Sequence, residues 1–240
     1  MDYSLLSVLL FGFVLGIKHA IEPDHVIAVS TIASHSKSLL RSTFAGIFWG
    51  IGHSVTLLLI GLGLILFKIE LPDSIAMSFE FLVGIMLVGL GVSSILAIRK
   101  QKFHIHEHEH DGQLHKHFHS HQHETGNKHL HVDVSYFKSM LIGLVHGLAG
   151  SAAMVLLTMS SVSSAWEGVL YILLFGAGTI LGMMLFTTLI GFPFVLSAKK
   201  IGINTLLTQF TAAVSIAYGC FYMYNLGITE GLFAIWLGAL

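Results

Sequence analysis

The chain has 240 residues, of which 54% are hydrophobic and 10% are charged, with a mean hydropathy of +0.80 and a formal net charge of -1. Soluble domains carry roughly 25% charged residues, so this composition is that of a membrane protein. The balanced charge gives no argument for nucleic acid as a partner, and the single cysteine, Cys220, excludes an intramolecular disulfide framework.

Six stretches approach the roughly 20 mostly apolar residues that a spanning helix needs. They are residues 4–33 with an interruption at Pro23, 41–67, 75–98, 137–161, 167–196 and 204–226. No basic region precedes the first stretch, so we interpret it as a retained helix and not as a cleaved signal peptide. The last segment, GLFAIWLGAL, is too short to span alone, and either lies at the membrane interface or extends the sixth helix.

Lysine and arginine are concentrated in alternate loops. Loops 34–41, 99–138 and 197–203 carry nearly all of them, and these loops lie on one side if six helices alternate. Cytoplasmic loops carry the excess of basic residues. The sequence therefore predicts a multi-pass protein of the cytoplasmic membrane with both termini extracytoplasmic and the long loop in the cytosol.

The two halves of the chain resemble each other weakly. GIKHAIEPDHVIAV, from Gly16, aligns with GLVHGLAGSAAMVL at an offset of 127, and GIGHS aligns with GAGTI at an offset of 126. The alternative is that small-residue helices all look alike. A repeat of three helices is odd in number, so its second copy enters the membrane from the opposite side, as in many secondary transporters.

The predicted fold is an all-α integral membrane protein of two inverted three-helix repeats, with helix one broken at Pro23. Its domains are residues 1–98 for the first repeat, 99–135 for a cytosolic His-rich disordered linker, and 136–240 for the second repeat with the short apolar segment.

Ionisable side chains cluster inside the predicted spans, where each costs at least ~2.5–3.5 kcal/mol at the bilayer centre. They are His19, Glu22, Asp24 and His25 in the first span, His53 in the second and His146 in the fourth. Such residues are functional candidates by default. The alternative is that a membrane histidine bonds a neighbouring helix, which for His146 alone is an equal choice.

Proline at position 23 predicts a break in the first span that lets its two histidines approach each other. On an unbroken helix His19 and His25 lie about 120° apart and ~9 Å apart along the axis, too far to share one ion. Pro23 removes a backbone donor and clashes with the preceding turn, so we expect a break that lets Asp24 and His25 turn back towards His19. Pro23 fits the first position of a second half-helix, with Glu22 beside it.

Neutral imidazole together with a carboxylate suits divalent transition metals such as Ni, Co, Zn or Fe. We therefore predict metal ligands at His19, Asp24, His25, His53 and His146. Glu22 is a candidate for attracting the cation at the mouth or carrying a coupled proton, although pairing with Lys18 is an alternative. The choice among these metals is not made by ligand type.

A histidine tract occupies the predicted linker and holds eleven of the sixteen histidines. These are His104, His106, His108, His110, His115, His117, His119, His121, His123, His129 and His131. Such low-complexity tracts bind metal without a fold, and the low apolar content predicts disorder. The tract is interpreted as a cytosolic metal buffer, with a charged, pH-responsive linker as the alternative.

Three motifs resemble the nickel/cobalt transporter (NiCoT) family. HAIEPDH fits its H-x4-D-H signature through His19, Asp24 and His25, and FWGIGHS is similar to its second motif through His53. GLVHGLAGSAA, which holds His146, looks like the related urease-accessory nickel permease branch. The resemblance implies transport of Ni2+, or of Co2+, as substrate, with no prosthetic group and no enzyme activity.

The function predicted from these observations is an uptake permease for nickel, with cobalt as a second cargo. No P-loop is present, so ion gradients, the membrane potential or a partner subunit must supply the energy. The partners are the metal ion, the bilayer and, as a candidate, a cytosolic metal chaperone; the oligomeric state is left open. The rivals are an efflux transporter of the same fold, a metal sensor, and an intramembrane metalloenzyme, against which the absence of an H-E-x-x-H motif argues.

Overall fold

A computed structural model describes residues 3–36, 38–67, 69, 71–102, 108–110, 113–115, 135–150 and 164–238. The first half contains α1 (Tyr3–His19), α2 (Pro23–Ala33), α3 (Leu39–Phe67) and α4 (Asp73–Lys102). Two strands follow, β1 (His108–His110) and β2 (Gln113–His115). The second half contains α5 (Tyr136–Ala149), α6 (Ala165–Ser197), α7 (Ile201–Tyr224), a π-helical turn (Asn225–Thr229) and α8 (Leu232–Trp236).

Within these described ranges, four helices are long and apolar enough to cross a membrane: α3, α4, α6, and α7 with its π-helical turn. The bent pair of α1 and α2 makes a fifth span if the two are counted together. The predicted span 137–161 is described only as far as α5, because residues 151–163 lie outside the described residues. The protein is therefore a multi-pass membrane protein built almost wholly of helices, and the number six stays a prediction.

The break in the first span is confirmed. α1 ends at His19, Glu22 has extended backbone angles (φ -63°, ψ 148°), and Pro23 occupies the first turn of α2. The two helices are bent by 56°. Proline is tolerated at a first helical position, since the N–H that it lacks has no partner there in any helix.

Two helix pairs pack through glycines against backbone carbonyls. α1 lies on α6, where a side chain at Gly16 would collide with the carbonyl of Phe175. α5 lies on α3, where a side chain at Gly143 would collide with the carbonyl of Trp49. These are the glycines that the sequence aligns, and Trp49 and Phe175 stand at the same spacing. Small residues therefore allow the helix backbones to pack closely at both junctions.

Each junction has a second contact of the same kind, in which the glycine belongs to the other helix. Gly178 of α6 lies against the carbonyl of Phe13 in α1, and Gly52 of α3 lies against the carbonyl of Met140 in α5. The two junctions thus match in four glycines and four carbonyls. This agreement supports the internal repeat, while its inverted arrangement stays a prediction.

The histidine tract is described only in part. β1 and β2 pair antiparallel, with His108 opposite His115. The backbone of His108, His110 and His115 lies in these strands, and the other histidines of the tract lie outside the described residues. α4 continues to Lys102, past the predicted boundary at residue 98. Disorder and metal buffering by the tract stay predictions.

The C-terminal segment does not extend α7. Gly231 adopts φ 82°, in the left-handed region that favours glycine, and the chain turns there before α8. Trp236 donates a hydrogen bond from Nε1 to Ser78 Oγ at 3.1 Å, and its ring also contacts Phe81 of α4. Of the two alternatives for this segment, continuation of the sixth helix is therefore wrong, and α8 packs on the beginning of α4.

Candidate metal site

The bend between α1 and α2 brings His19 and His25 together. Their ring centroids are 4.5 Å apart, in an edge-to-face arrangement. The predicted separation of ~9 Å along a straight helix is removed because the chain turns through Ala20, Ile21 and Glu22. His25 becomes buried at 1% exposure, and His19 stays at the margin of a cavity.

Packing then adds the other two predicted histidines. His53 lies midway along α3 and is fully buried; its Nε2 is 3.1 Å from His19 Nε2. His146 lies in the last turn of α5, and its ring centroid is 4.0 Å from that of His25. All four histidines predicted from sequence, together with Asp24, converge at one point.

The nitrogens are close enough to hold one ion. One nitrogen from each of His19, His25 and His53 falls within a group whose members lie within 4.8 Å of one another. Two imidazole nitrogens bound to one ion at ~2.0–2.1 Å stand about 2.9–3.4 Å apart for bond angles of roughly 90–110°. The 3.1 Å between His19 and His53 falls in that interval.

Carboxylates orient two of these rings. Glu22 Oε2 is 2.9 Å from His19 Nδ1, and Asp24 Oδ1 is 3.0 Å from His25 Nδ1. A carboxylate that accepts the Nδ1–H of an imidazole fixes its tautomer and leaves the Nε2 lone pair for a metal. His25 Nε2 is buried and has no hydrogen-bond partner among the described residues, which is what a nitrogen reserved for an ion requires.

Asp24 joins the two halves of the chain. Its second oxygen, Oδ2, is 2.8 Å from His146 Nε2. Asp24, His25 and His146 form a second group with the spacing of a metal site, which shares His25 with the first. With both oxygens bonded to imidazoles, Asp24 acts here as an orienting group, and direct coordination of an ion by Asp24 stays a prediction.

A cavity of about 330 Å³ leads from the cluster to the surface of the protein. Lys18 and Glu22, both exposed, line it at the α1–α2 bend. Glu80 of α4 and Tyr222 of α7 also line it. His53 does not line this cavity, so it forms the buried floor of the cluster behind His19.

An apolar layer closes the site away from the cavity. Trp49 stacks on His25 with ring centroids 5.8 Å apart, and it belongs to a buried cluster with Val29, Leu87 and Met183. Water is excluded from this side, so polar contacts within the histidine cluster are stronger than they would be in solvent.

Sequence analysis missed Glu80, Tyr222 and Gly150. Gly150, just after α5, leaves the space beside His19 Nε2, because a Cβ there would lie 3.2 Å from that nitrogen. Glu80 carried a usable signal, since it is an ionisable residue inside an apolar span. Tyr222 and Gly150 carried none, because tyrosine and glycine are common in membrane helices.

Comparison with known proteins gives a family. The family described as the cytochrome c biogenesis protein transmembrane region matches residues 7–221. The chain belongs to this transmembrane family. The matching family is not the one that the motifs resemble, so membership of the NiCoT family stays a proposal.

Individual relatives are found in bacteria and plants. The chain is 57% identical to the urease accessory protein UreH of Bacillus sp. (strain TB-90) over 242 residues, which is 98% of each chain. It is 27% identical to the Arabidopsis thaliana chloroplast protein FOR GROWTH AND FERTILITY 2, over 87% of this chain and 54% of that protein. A second Arabidopsis thaliana protein of that name, number 1, is 28% identical over a similar share. No solved structure matches.

Proposed function

We propose that the protein is a secondary transporter that imports a divalent transition metal, nickel first and cobalt second, across the cytoplasmic membrane. The observation that carries the proposal is the convergence of His19, His25 and His53 at a broken membrane helix. Broken helices near the midplane are where secondary transporters bind their ions. Buried imidazoles with orienting carboxylates suit a metal that gives up part of its water shell.

Nickel is favoured by two similarities. The motifs resemble a permease branch associated with urease and nickel, and the chain is similar to a urease accessory protein. The ion is then the substrate and no prosthetic group is needed. A cytosolic metal chaperone would receive it, with the histidine tract as a buffer.

Inward movement needs no nucleotide. A 2+ ion gains ~4.6 kcal/mol per 100 mV of membrane potential, twice the value for one charge. The membrane potential alone can therefore drive import. An efflux transporter of the same fold would move the ion against this potential and would need another ion gradient as its energy source. Metal content of cells that overproduce the protein separates the two, since import raises it and export lowers it.

The inverted repeat supplies a means of alternating access. The matching glycine junctions of α1 on α6 and of α5 on α3 support two related three-helix units. Rocking of one unit against the other would open the cluster first to one side and then to the other.

Three other functions are less well supported. A relay by thiol–disulfide exchange within the chain, one chemistry of protein biogenesis, needs two cysteines, and the sequence has one. A sensor would bind metal at the same cluster, but it has no need of the broken span and the repeated halves that alternating access uses. An enzyme is disfavoured because UreH is named as an accessory protein.

Flux of radioactive nickel into proteoliposomes tests the proposal. We expect uptake that increases with an inside-negative potential and that is lost in His25→Ala. His35→Ala is the matched control, because His35 lies outside the cluster and bonds Ser94 instead. Runs with Co2+, Zn2+ and Mn2+ give the selectivity.

One result would contradict transport and another would contradict the assigned site. Nickel binding to the purified protein without flux into vesicles would make it a sensor. Equal flux in wild type and His25→Ala would remove the histidine cluster from the path of the ion.

A further inference from the structure

Glu80 is a carboxylate inside a membrane span that faces the same cavity as the histidine cluster. It stands seven residues after Asp73, where α4 begins, and so about 10 Å along the helix. A carboxylate in this setting carries an insertion cost, which favours a role in an ion path over a passive one.

Two helices fix the position of this carboxylate. The Tyr222 hydroxyl of α7 donates a hydrogen bond to Glu80 Oε2 at 3.0 Å. α4 and α7 pack closely beside it, because Gly219 leaves room for the carbonyl of Gly84. Glu80 lines the cavity, and its hydrogen bond to Tyr222 uses Oε2, which leaves Oε1 available to a cation.

Glu80 lies between the cluster and one face of the membrane. His53 is 14 residues before the end of α3, or about 21 Å, while Glu80 is about 10 Å from the start of α4. The α3–α4 connection puts both of these helix ends at the same face. A cation that passes between that face and the cluster through the cavity therefore passes Glu80 before His19.

Glu80 and the histidine cluster offer different ligands, which suit two successive steps of cation binding. Carboxylate oxygen accepts a cation that still carries its water, whereas imidazole binds a transition metal after water is lost. Glu22 at the bend and Asp24 in the cluster add further carboxylates, and Lys18 is the one lysine or arginine among the described residues that line the cavity.

We propose that Glu80, positioned by Tyr222, is a staging ligand that captures the hydrated divalent cation in the cavity before it reaches the histidine cluster. This role rests on the proposed transport function. In this role Glu80 increases the rate at which the cation is captured. The histidines alone determine the affinity of the cluster for the cation.

Initial rates of radioactive nickel uptake into proteoliposomes, measured against nickel concentration, test the role. For Glu80→Gln we expect KM to increase about tenfold at low ionic strength, the lower end of the effect of charge-lined clefts, with an unchanged maximal rate. Tyr222→Phe should increase KM less, because the carboxylate remains but is no longer held. Glu80→Asp, which keeps the charge, should restore part of the loss.

Glu230→Gln is the matched control. Glu230 is an exposed carboxylate near the same face that bonds Asn225 and does not line the cavity. The charge of Glu230 also acts on Glu80 from outside the cavity, so its removal should change KM far less than Glu80→Gln does. The difference in KM between wild type and Glu80→Gln should shrink as salt is added, since screening weakens capture by charge. A merely structural role for Glu80 would not respond to salt in this way.

Equilibrium binding of nickel to the purified variants separates this inference from the proposed function. Binding by Glu80→Gln should match wild type, because the cluster is intact. An unchanged KM in Glu80→Gln, or a lower maximal rate with an unchanged KM, overturns the staging role alone, and the second result would assign Glu80 to proton coupling. If Glu80→Gln does not fold, an unchanged KM in Tyr222→Phe overturns it. Wild-type protein that binds nickel without flux overturns both proposals.

Discussion

The junction of α1 with α6 and the junction of α5 with α3 have the same backbone packing but different chemistry. Gly16 and Gly143 occupy the same place in each, against the carbonyls of Phe175 and Trp49. Three residues after each glycine comes a histidine. The helix of the first junction then bends and adds Asp24 and a further histidine, whereas the second adds Gly150 and Ser151. Contacts between backbones are repeated in the two halves, and ligands are concentrated in one.

The largest expected effect is that replacing a histidine of the first half impairs transport more than replacing one of the second half. His25→Ala should lower nickel affinity by about a hundredfold or more, because His25 belongs to both groups of candidate ligands. His146→Ala should cost about tenfold, because Asp24 retains its bond to His25. Radioactive nickel uptake measures both, and equal losses would show that the halves contribute alike.

Equal loss of stability is expected where the halves are alike. Gly16→Val and Gly143→Val should each cost about 3 kcal/mol or more, because each added side chain meets a backbone carbonyl that cannot move aside alone. Thermal unfolding in detergent measures this. Gly63→Val and Gly89→Val are controls, since nothing lies within 4 Å of a Cβ at either position. A variant that is destabilised at only one junction would break the equivalence.

The two carboxylates of the bend should differ in importance. Asp24→Asn should weaken nickel binding about 10- to 100-fold, since an amide cannot accept a hydrogen bond on both of its terminal atoms. Glu22→Gln should have an effect of a few-fold, because the Glu22 side chain is 49% exposed and orients only His19. Calorimetric titration of the purified variants checks the order, and a larger effect from Glu22 would reverse the assignment of roles.

A smaller difference is expected in the response to acid. The chain after α2 is held by His35, which bonds Ser94 Oγ at 2.8 Å, whereas the start of α6 is capped by the Ser164 hydroxyl, which does not titrate. Burial lowers the pKa of His35 below its usual value. The folded state therefore binds fewer protons there, and this contribution to stability is present above about pH 6.5 and is lost as the pH falls below it.

His35→Gln should be slightly less stable than wild type at about pH 8, by ~0.5–1.5 kcal/mol for one hydrogen bond, and should lose less stability between about pH 8 and pH 5. Unfolding temperatures at the two pH values measure this. If the unfolding temperatures of wild type and variant changed equally between the two pH values, His35 would not titrate in this range.

Local signals in the sequence were enough for four of the predicted spans and for the bend in the first. A proline between two histidines fixes where a membrane helix breaks, because the constraint acts on adjacent residues. The residues that the structure brings together as a candidate site were also picked out from sequence, since ionisable groups in apolar spans are rare. Their distances were not, because the approach of His53 and His146 depends on how α3 and α5 pack.

Features that arise only from packing escaped prediction. Glu80 is held in position by a hydrogen bond from Tyr222, which is 142 positions away in the sequence. The place of α8 depended on the left-handed backbone at Gly231, and nothing in an apolar segment of that length says whether it continues a helix. Both outcomes are set by contacts between helices, which single-sequence patterns do not encode.

The bond between Asp24 and His146 has a mechanical consequence. It joins α2 of the first half to α5 of the second, and Asp24 holds His25 through its other oxygen. Any rotation that separates the two halves must break this bond or carry both residues along. In the proposed rocking mechanism, Asp24 therefore ties the two units together, and they separate only when its bond to His146 is released.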